Sequence, residues 1–180
     1  MKTNTKTLLW GLLIAVVPLT ADAKLGRSGD ANVSFTATGP AGMKIEGKTS
    51  ELNVNDDGSN VTVSVPLRNL TTGIALRDKH MRDKYLQIDR FPNAELTVAR
   101  SALKVPSAGE TSGDASGTMK IHGQTKSVTF HYVAKRDGGA IKVDGSVHVS
   151  MRDYGMEIPS FMGVTVKPDV DVAVKFGAQE

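Results

Sequence analysis

The sequence predicts a mainly-β fold of about eight antiparallel strands with one amphipathic α-helix inserted near residues 74–88. Apolar and polar residues alternate along most of the chain, which is typical of antiparallel strands with one buried face and one solvated face. Turn-forming residues separate the alternating segments at short intervals, as they do in sandwiches and in closed barrels. Alternation alone does not choose between these two architectures.

Four alternating segments precede the helix, at residues 33–37, 43–46, 52–54 and 61–67. The third of them ends at Asn55-Asp56-Asp57-Gly58, which is a strong turn signal. The segment Arg27–Ala31 is polar, so we expect the first strand to begin late. Gly47 and Gly145 fall inside strand patterns, and glycines at such positions favour a curved sheet.

Residues 74–88 carry the predicted helix. Its apolar residues recur at spacings of seven, four and three, which places them on one helical face: Ile74, Met81, Tyr85 and Ile88. Charged residues fill the remaining positions and form i,i+4 pairs of opposite sign, which stabilise helices. The helix is predicted to run about three to four turns and to end near Phe91-Pro92, because proline cannot continue it.

Five alternating segments follow the helix, at residues 95–98, 117–121, 128–134, 141–151 and 170–176. Turns are predicted at His122-Gly123-Gln124 and at Asp137-Gly138-Gly139. A loop rich in glycine, serine and glutamate is predicted for Ser107–Asp114, and Arg152–Pro168 is less regular. No linker divides this part of the chain, so residues 24–180 are predicted to form a single domain.

Residues 1–23 are predicted to be a cleaved secretory signal peptide. Lys2 and Lys6 give a positively charged start, and an apolar run from Leu8 to Val17 follows. Ala21-Asp22-Ala23 places small residues at the −3 and −1 positions of a cleavage site after Ala23. The apolar run is too short to span about 30 Å of hydrocarbon, which disfavours a membrane anchor. We therefore expect an exported protein.

The composition excludes several classes of function. None of the 180 residues is cysteine, which excludes disulfides, Cys-ligated zinc, iron–sulfur clusters and thiol catalysis. The formal net charge of +3 arises from mixed charges, without the basic stripe and interleaved aromatics of nucleic-acid binders. The four histidines lack the spacing of metal ligands, and no nucleophile elbow or nucleotide-binding loop is present. We predict no catalytic residue, metal, cofactor or nucleic-acid partner.

Three separated motifs make the chain resemble the YceI-like family. Leu70–Met81, continuing through Tyr85 to Phe91-Pro92-Asn93-Ala94, is similar to that family's helix and its exit into a strand. Gly117–Val128 resembles the family's G-x-L-x-x-x-G-x-T-K-x-V hairpin, and Arg152–Met156 resembles its R-x-D/T-Y/F-G segment. The resemblance covers nearly all of residues 31–176 in the same order.

The resemblance implies an extended lipocalin-like antiparallel β-barrel in the bacterial periplasm. It further implies a binding or carrier protein, not an enzyme, that encloses a polyisoprenoid, an isoprenoid quinone or a similar amphiphile. Such a carrier is compatible with transient membrane contact and with a homodimer. Two alternatives stay open. One is a lipid-modifying enzyme with Asp153, His131 or His148 as acid or base, and the other is a filled barrel that meets a partner.

Inward-facing apolar side chains are expected to form the wall around the ligand. Aromatic residues make up only 5% of the chain, and aliphatic residues leave more space inside a barrel of this size. The predicted wall residues are Phe35, Ile45, Val63, Met81, Leu86, Leu96, Val98, Met119, Ile121, Phe130, Tyr132, Ile141, Val143, Val147, Phe161 and Met162. Four charged residues of the family-like motifs are expected to hold the helix over the barrel by ion pairs and capping: Arg77, Asp78, Arg152 and Asp153.

Overall fold

The computed structural model describes residues 24–161 and 164–180. The strands are β1 Gly26–Thr38, β2 Lys44–Thr49, β3 Asn53–Asp56, β4 Asn60–Pro66, β5 Asn93–Ala99, β6 Gly109–Ile121, β7 Gln124–Asp137, β8 Ala140–Ser150, β9 Ser160–Phe161, β10 Val164–Thr165 and β11 Asp169–Gln179. The helix α1 spans Ala75–His80 and continues as a π-helical turn at Met81–Leu86. The predicted signal peptide, residues 1–23, lies outside the described residues.

Strand pairing closes the sheet into an antiparallel barrel. The order of neighbours is β11-β8-β7-β6-β5-β4-β3-β1-β2, and β11 also pairs with β1 along almost its full length. Because β2 and β3 follow each other along the same edge of β1, they occupy a single position, and the barrel has eight strand positions. The predicted antiparallel barrel is confirmed. The sandwich is excluded because the first and last strands are paired.

The two ends of the barrel differ in what covers them. One end, called here the helix end, carries the Gly39–Met43 turn, the connection 67–92 with α1, the His122-Gly123 turn and the connection 151–168. The other end, called the closed end, carries the turns after β3 and β7 and the loop 100–108 after β5. Leu103 and Val105 of that loop pack against the core residues at this end.

The first strand begins earlier than predicted. β1 starts at Gly26, and its polar beginning pairs with the end of β11, from Gly26 opposite Gln179 onward. The register shifts between Ser28 and Ala31, and Gly29 between them has a φ of 65°. This β-bulge interrupts the apolar alternation, so the expectation of a late start was wrong.

The predicted loop at Ser107–Asp114 was also wrong. β6 begins at Gly109 and pairs with β7 from Gly109 opposite Arg136 down to Ile121 opposite Gln124. Its first residues have low intrinsic strand propensity, yet β7 supplies a full ladder of backbone hydrogen-bonding groups beside them. Pairing with a strong neighbour therefore extends the strand beyond its own sequence signal.

The helical segment is shorter than predicted and changes type. After α1, Met81–Leu86 forms a π-helical turn, and Gln87 ends it with a φ of 48°. The end thus falls several residues before Phe91-Pro92. No helix in residues 24–161 or 164–180 is both long enough and apolar enough to cross a membrane.

Gly47 marks a close approach inside the barrel. A Cβ atom placed on Gly47 would lie 2.2 Å from Cε1 of Phe35, its partner on β1. Gly145 on β8 similarly leaves room for Val174 of β11, whose Cγ2 would lie 3.0 Å from a Cβ at that position. The absence of side chains at these two glycines lets larger neighbours lie across them, which is one use of glycine within a sheet.

An ionic network ties the closed end together. The carboxylate of Asp56 is buried and accepts hydrogen bonds from the backbone amides of Leu25 at 2.9 Å and Gly58 at 2.8 Å. Nε of Arg100 lies 3.0 Å from Oδ2 of Asp56, and Glu180 bridges Arg100 and Arg136. Burial alone would raise the pKa of Asp56, but the two amides and the Arg100 charge outweigh it and hold the pKa below its usual range.

Replacing Arg100 with glutamine is expected to lower the free energy of unfolding by about 2 kcal/mol, because Asp56 then lacks its compensating cation. Arg27→Gln, at an exposed position of β1 near the same end, is the matched control and is expected to change stability by less than about 0.5 kcal/mol. Urea denaturation at neutral pH measures both. Equal effects of the two substitutions would mean that the Asp56–Arg100 pair contributes nothing to the free energy of unfolding.

Candidate functional site

A cavity of about 640 Å³ occupies the barrel interior. Its wall includes Leu25 and Leu103 at the closed end and Met43, Leu76 and Val164 at the helix end, so it runs the length of the barrel. Aliphatic and aromatic side chains form almost all of the wall. Its volume falls within the roughly 300–1,000 Å³ typical of small-molecule sites.

Every predicted wall residue whose side chain the structure describes lines this cavity. These are Phe35, Ile45, Val63, Met81, Leu86, Leu96, Val98, Met119, Ile121, Phe130, Tyr132, Ile141, Val143 and Val147. Met162 and the side chain of Phe161 lie outside the described part of the chain. The structure therefore brings the predicted residues together in one place, and their contact with a ligand remains a prediction.

Sequence reasoning missed a second group of wall residues. The last strand supplies Val170, Val172, Val174, Phe176 and Ala178. Their alternation signalled a strand, but only its pairing with Val33 and Phe35 of β1 places that face inside the barrel. Leu103 and Val105 come from an irregular loop, where no periodicity could have indicated an inward direction.

The helix covers one side of the cavity with a face that differs from the predicted one. Met81 and Leu86 line the cavity as predicted, Leu76 and Tyr85 line it as well, and Ile74 and Ile88 do not. Ile88 lies beyond the helix, because the π-helical turn ends at Leu86 and Gln87 adopts a φ of 48°.

Asp78 anchors the helix to the segment that precedes it. Its buried carboxylate accepts hydrogen bonds from the hydroxyls of Thr71 and Thr72 and, at 2.7 Å, from the backbone amide of Thr72. Burial by itself would raise the pKa of Asp78. The three hydrogen bonds and the nearby charge of Arg82 outweigh that effect and hold the pKa below its ordinary value.

The other charged motif residues divide into two groups. Arg77 donates from Nε to the hydroxyl of Thr72 at 2.7 Å and from Nη2 to its carbonyl at 3.0 Å, so Arg77 holds the helix start as expected. Arg152 and Asp153 are exposed on a 3₁₀ turn and form no ion pair within the described residues. The predicted ion-pair role is therefore wrong for Arg152 and Asp153.

Tyr154 is the most deeply buried aromatic residue near the helix end. It packs against Met119, Ile121 and Val149, and its carbonyl lies 3.2 Å from Nδ1 of His122. Burial, reinforced by the charge of Asp153, raises the pKa of the Tyr154 hydroxyl. Tyr154 does not line the cavity, so it closes the core beneath the 3₁₀ turn instead of forming part of the wall.

The residues proposed for an enzymatic alternative lie outside the cavity. His131 pairs with Asp114 at 2.8 Å and His148 with Asp171 at 2.8 Å, on the solvated face of the barrel. The hydrogen bond from His148 to Asp171 raises the pKa of His148. Asp153 also contributes nothing to the cavity wall. Among the described residues, no group of three or more histidine, aspartate or glutamate side chains is placed to hold a metal ion.

A family model for the YceI-like domain matches residues 26–178. This chain belongs to the YceI-like family. The match begins at the first residue of β1 and ends at Ala178, one residue before the end of β11, so it covers the barrel. The resemblance inferred from the three motifs is thereby confirmed.

YceI-like relatives of this chain include UPF0312 proteins of Pseudomonas. The one from Pseudomonas savastanoi pv. phaseolicola is 27% identical over 121 residues, which are 63% of this chain and 61% of that protein. The one from Pseudomonas fluorescens is 29% identical over 121 residues and is also covered over 61% of its length. The chain thus spans about three fifths of these relatives.

Solved structures share the YceI-like barrel at low sequence identity. A polyisoprenoid binding domain from Saccharophagus degradans, implicated in plant cell wall breakdown, has a TM-score of 0.72 at 14% identity, covering 87% of this chain and 98% of that domain. BcnA from Burkholderia cenocepacia has a TM-score of 0.67 at 14% identity, covering 82% of this chain and 95% of BcnA. These similarities establish the fold.

Proposed function

We propose that this YceI-like protein binds one long apolar lipid, of the polyisoprenoid or isoprenoid-quinone type, inside the barrel and carries it through the periplasm. The observation that supports the proposal most strongly is the cavity of about 640 Å³ that runs the length of the barrel between apolar walls. The S. degradans domain of the same fold is a polyisoprenoid binding domain, which makes this lipid class the leading candidate.

The physical basis of affinity is burial of hydrocarbon. Each buried methylene contributes about 0.8 kcal/mol, so ten methylenes contribute roughly 8 kcal/mol before the entropy of association is subtracted. Isoprenoid chains are branched and rich in methyl groups, and valine is the most frequent residue of the wall, followed by leucine and methionine. Methionine adapts to irregular shapes and so suits a ligand of this kind.

A bound lipid is expected to stabilise the folded barrel. An empty apolar space of this size lowers stability, because the atoms that line it lack packing partners on one side. Filling such a space with hydrocarbon removes most of this cost. We therefore expect the bound lipid to raise the thermal unfolding midpoint and to co-purify with the protein.

Polar side chains on the cavity wall are few; several lie near the helix end, and Lys104 lies at the closed end. Arg77 and His80 of α1 line the cavity beside Met81, and Ser160 lines it from the short β9 strand. A lipid bound with its chain towards the closed end would place its headgroup among these residues. Such polar groups at one end of an apolar site fix the orientation of a ligand.

The test is to purify the exported protein without detergent, extract it with organic solvent and identify the extract by mass spectrometry. We expect one long apolar molecule for each barrel, and we expect the emptied protein to take up the polyprenol solanesol. A barrel that retains no lipid and does not bind solanesol would overturn the proposal.

The same samples test the enzymatic alternative. If the protein modified its lipid, the extract would contain products whose formation depends on Asp153, His131 or His148. Because these residues lie outside the cavity wall, we expect Asp153→Ala to leave the identity and amount of the bound lipid unchanged.

A further inference from the structure

The large exposed apolar side chains of the described residues all lie at the helix end. They are Met43 at 54% exposure, Ile74 at 53%, Leu76 at 65% and Val164 at 48%. They come from three separate segments: the turn between β1 and β2, the start of α1 and the strand β10. We call these four residues the apolar rim.

The apolar rim borders the opening of the cavity. Met43, Leu76 and Val164 each line the cavity as well as being exposed, so the apolar wall continues outward into the rim. Three segments that are distant in sequence therefore expose apolar side chains around one opening. Exposed apolar residues gathered in one place indicate a contact surface more strongly than the same residues scattered singly.

Cationic residues stand beside the apolar rim. Lys44 follows Met43 and is exposed, and the exposed Lys167 is held near the same turn because its amide donates to the carbonyl of Thr38 at 2.8 Å. Arg77 extends the cationic group along α1. Glu46 is the exposed carboxylate that follows Lys44 on β2.

Two exposed carboxylates of the helix end are already paired with lysines. Asp83 pairs with Lys79, and Glu157 pairs with Lys84. Asp78 is buried under its hydrogen bonds. Lys44 and Lys167 form no ion pair within the described ranges, which leaves their charges available to an external anion.

We propose that the apolar rim docks on an anionic phospholipid bilayer. The rim side chains would enter the boundary between headgroups and acyl chains, while Lys44 and Lys167 approach the lipid phosphates. The opening of the cavity would then face the hydrocarbon, so that a lipid chain could enter without crossing water. This inference adds a docking surface to the proposed function and rests on it only for that last step.

The experiment measures co-sedimentation of the purified protein with vesicles made of equal parts phosphatidylglycerol and phosphatidylcholine. We expect binding that is weakened by added salt, because exposed charges are screened. Lys44→Glu/Lys167→Glu is expected to weaken binding at least about thirtyfold, and Met43→Gln/Leu76→Gln about tenfold.

The matched control is Lys135→Glu/Lys142→Glu. These two exposed lysines lie opposite each other on β7 and β8 near the closed end, and their reversal changes the net charge by the same amount. We expect this control to alter vesicle binding by less than about threefold. Equal losses in the control and the rim variant would overturn the proposal, because net charge alone would then explain binding.

Two further measurements distinguish membrane docking from self-association and from the proposed lipid binding. Sedimentation velocity without vesicles reports self-association, and a dimer that dissociates in Met43→Gln/Leu76→Gln would assign the rim to a second copy and overturn membrane docking. Lipid extraction reports cavity occupancy. If the protein contains lipid but does not bind vesicles, only the docking proposal is contradicted. If it binds vesicles but contains no lipid, only the proposed function is contradicted.

Discussion

Replacing Val174 with tryptophan is expected to weaken lipid binding at least about a hundredfold while leaving the barrel folded. Val174 lines the cavity on β11 and lies opposite Gly145 of β8, which has no side chain to collide with a larger neighbour. An indole at this position would extend into the cavity and occupy part of the volume proposed for the ligand. Excluding three to four methylenes costs about 3 kcal/mol of binding energy, which is more than a hundredfold in affinity.

The matched control is Ala173→Trp, which introduces the same residue one position earlier. Ala173 is exposed on the outer face of β11 because successive side chains of a strand point to opposite sides. We expect this variant to bind solanesol like the unmodified protein in a titration followed by fluorescence. Full binding by Val174→Trp, with an unchanged thermal midpoint in the absence of lipid, would show that the ligand does not occupy the barrel interior.

Most wall residues could be predicted from the sequence, because alternate residues of a barrel strand point to the interior and to the solvent. Once Phe130 or Val143 is assigned to the inner face, its second neighbours along the strand follow automatically. The same rule failed to assign Val172 and Val174 to the wall, although their alternation is equally clear. The missing information was the pairing of β11 with β1, because these two strands lie far apart in the sequence.

Local conformation caused two further misses, at the start of β1 and at the end of the helix. The bulge between Ser28 and Ala31 hides the start of β1 because it breaks the two-residue period on which strand prediction relies. The π-helical turn at Met81–Leu86 likewise breaks the period assumed for a helix, and Ile88 of the predicted helical face lies beyond its end. The propensities of the residues themselves signal neither the bulge nor the π-helical turn.

Replacing Asp78 with alanine is expected to lower the free energy of unfolding by about 3 kcal/mol. The substitution removes three hydrogen bonds to a buried carboxylate and leaves polar groups of Thr71 and Thr72 without their acceptor. Asp83→Ala, on the next turn of the same helical segment, is the control. Asp83 is exposed and pairs only with Lys79, so its loss is expected to lower the free energy of unfolding far less than the loss of Asp78.

The stabilisation by Asp78 depends on pH in a defined direction. Its carboxyl has a pKa below the ordinary value of 3.8 in the folded protein, so folding favours the ionised form. The contribution is fully present above pH 3.8 and is lost as the pH falls through the lower folded value. We therefore expect the stability difference between the unmodified protein and Asp78→Asn to be largest near neutral pH and to shrink below pH 3.8. A difference that stays constant with pH would mean that the charge of Asp78 is not what anchors the helix.

The same substitution should also affect how the barrel retains its lipid. Asp78 and Arg77 fasten the start of a helical segment whose Met81, Tyr85 and Leu86 form part of the cavity wall. When this attachment is weakened, the wall opens more often, and we expect solanesol to dissociate at least about tenfold faster from Asp78→Asn than from Asp83→Asn. The association rate should rise by a similar factor, because the apolar lining is intact and the affinity is therefore unchanged. Equal release rates from Asp78→Asn and Asp83→Asn would contradict this role of the anchored helix.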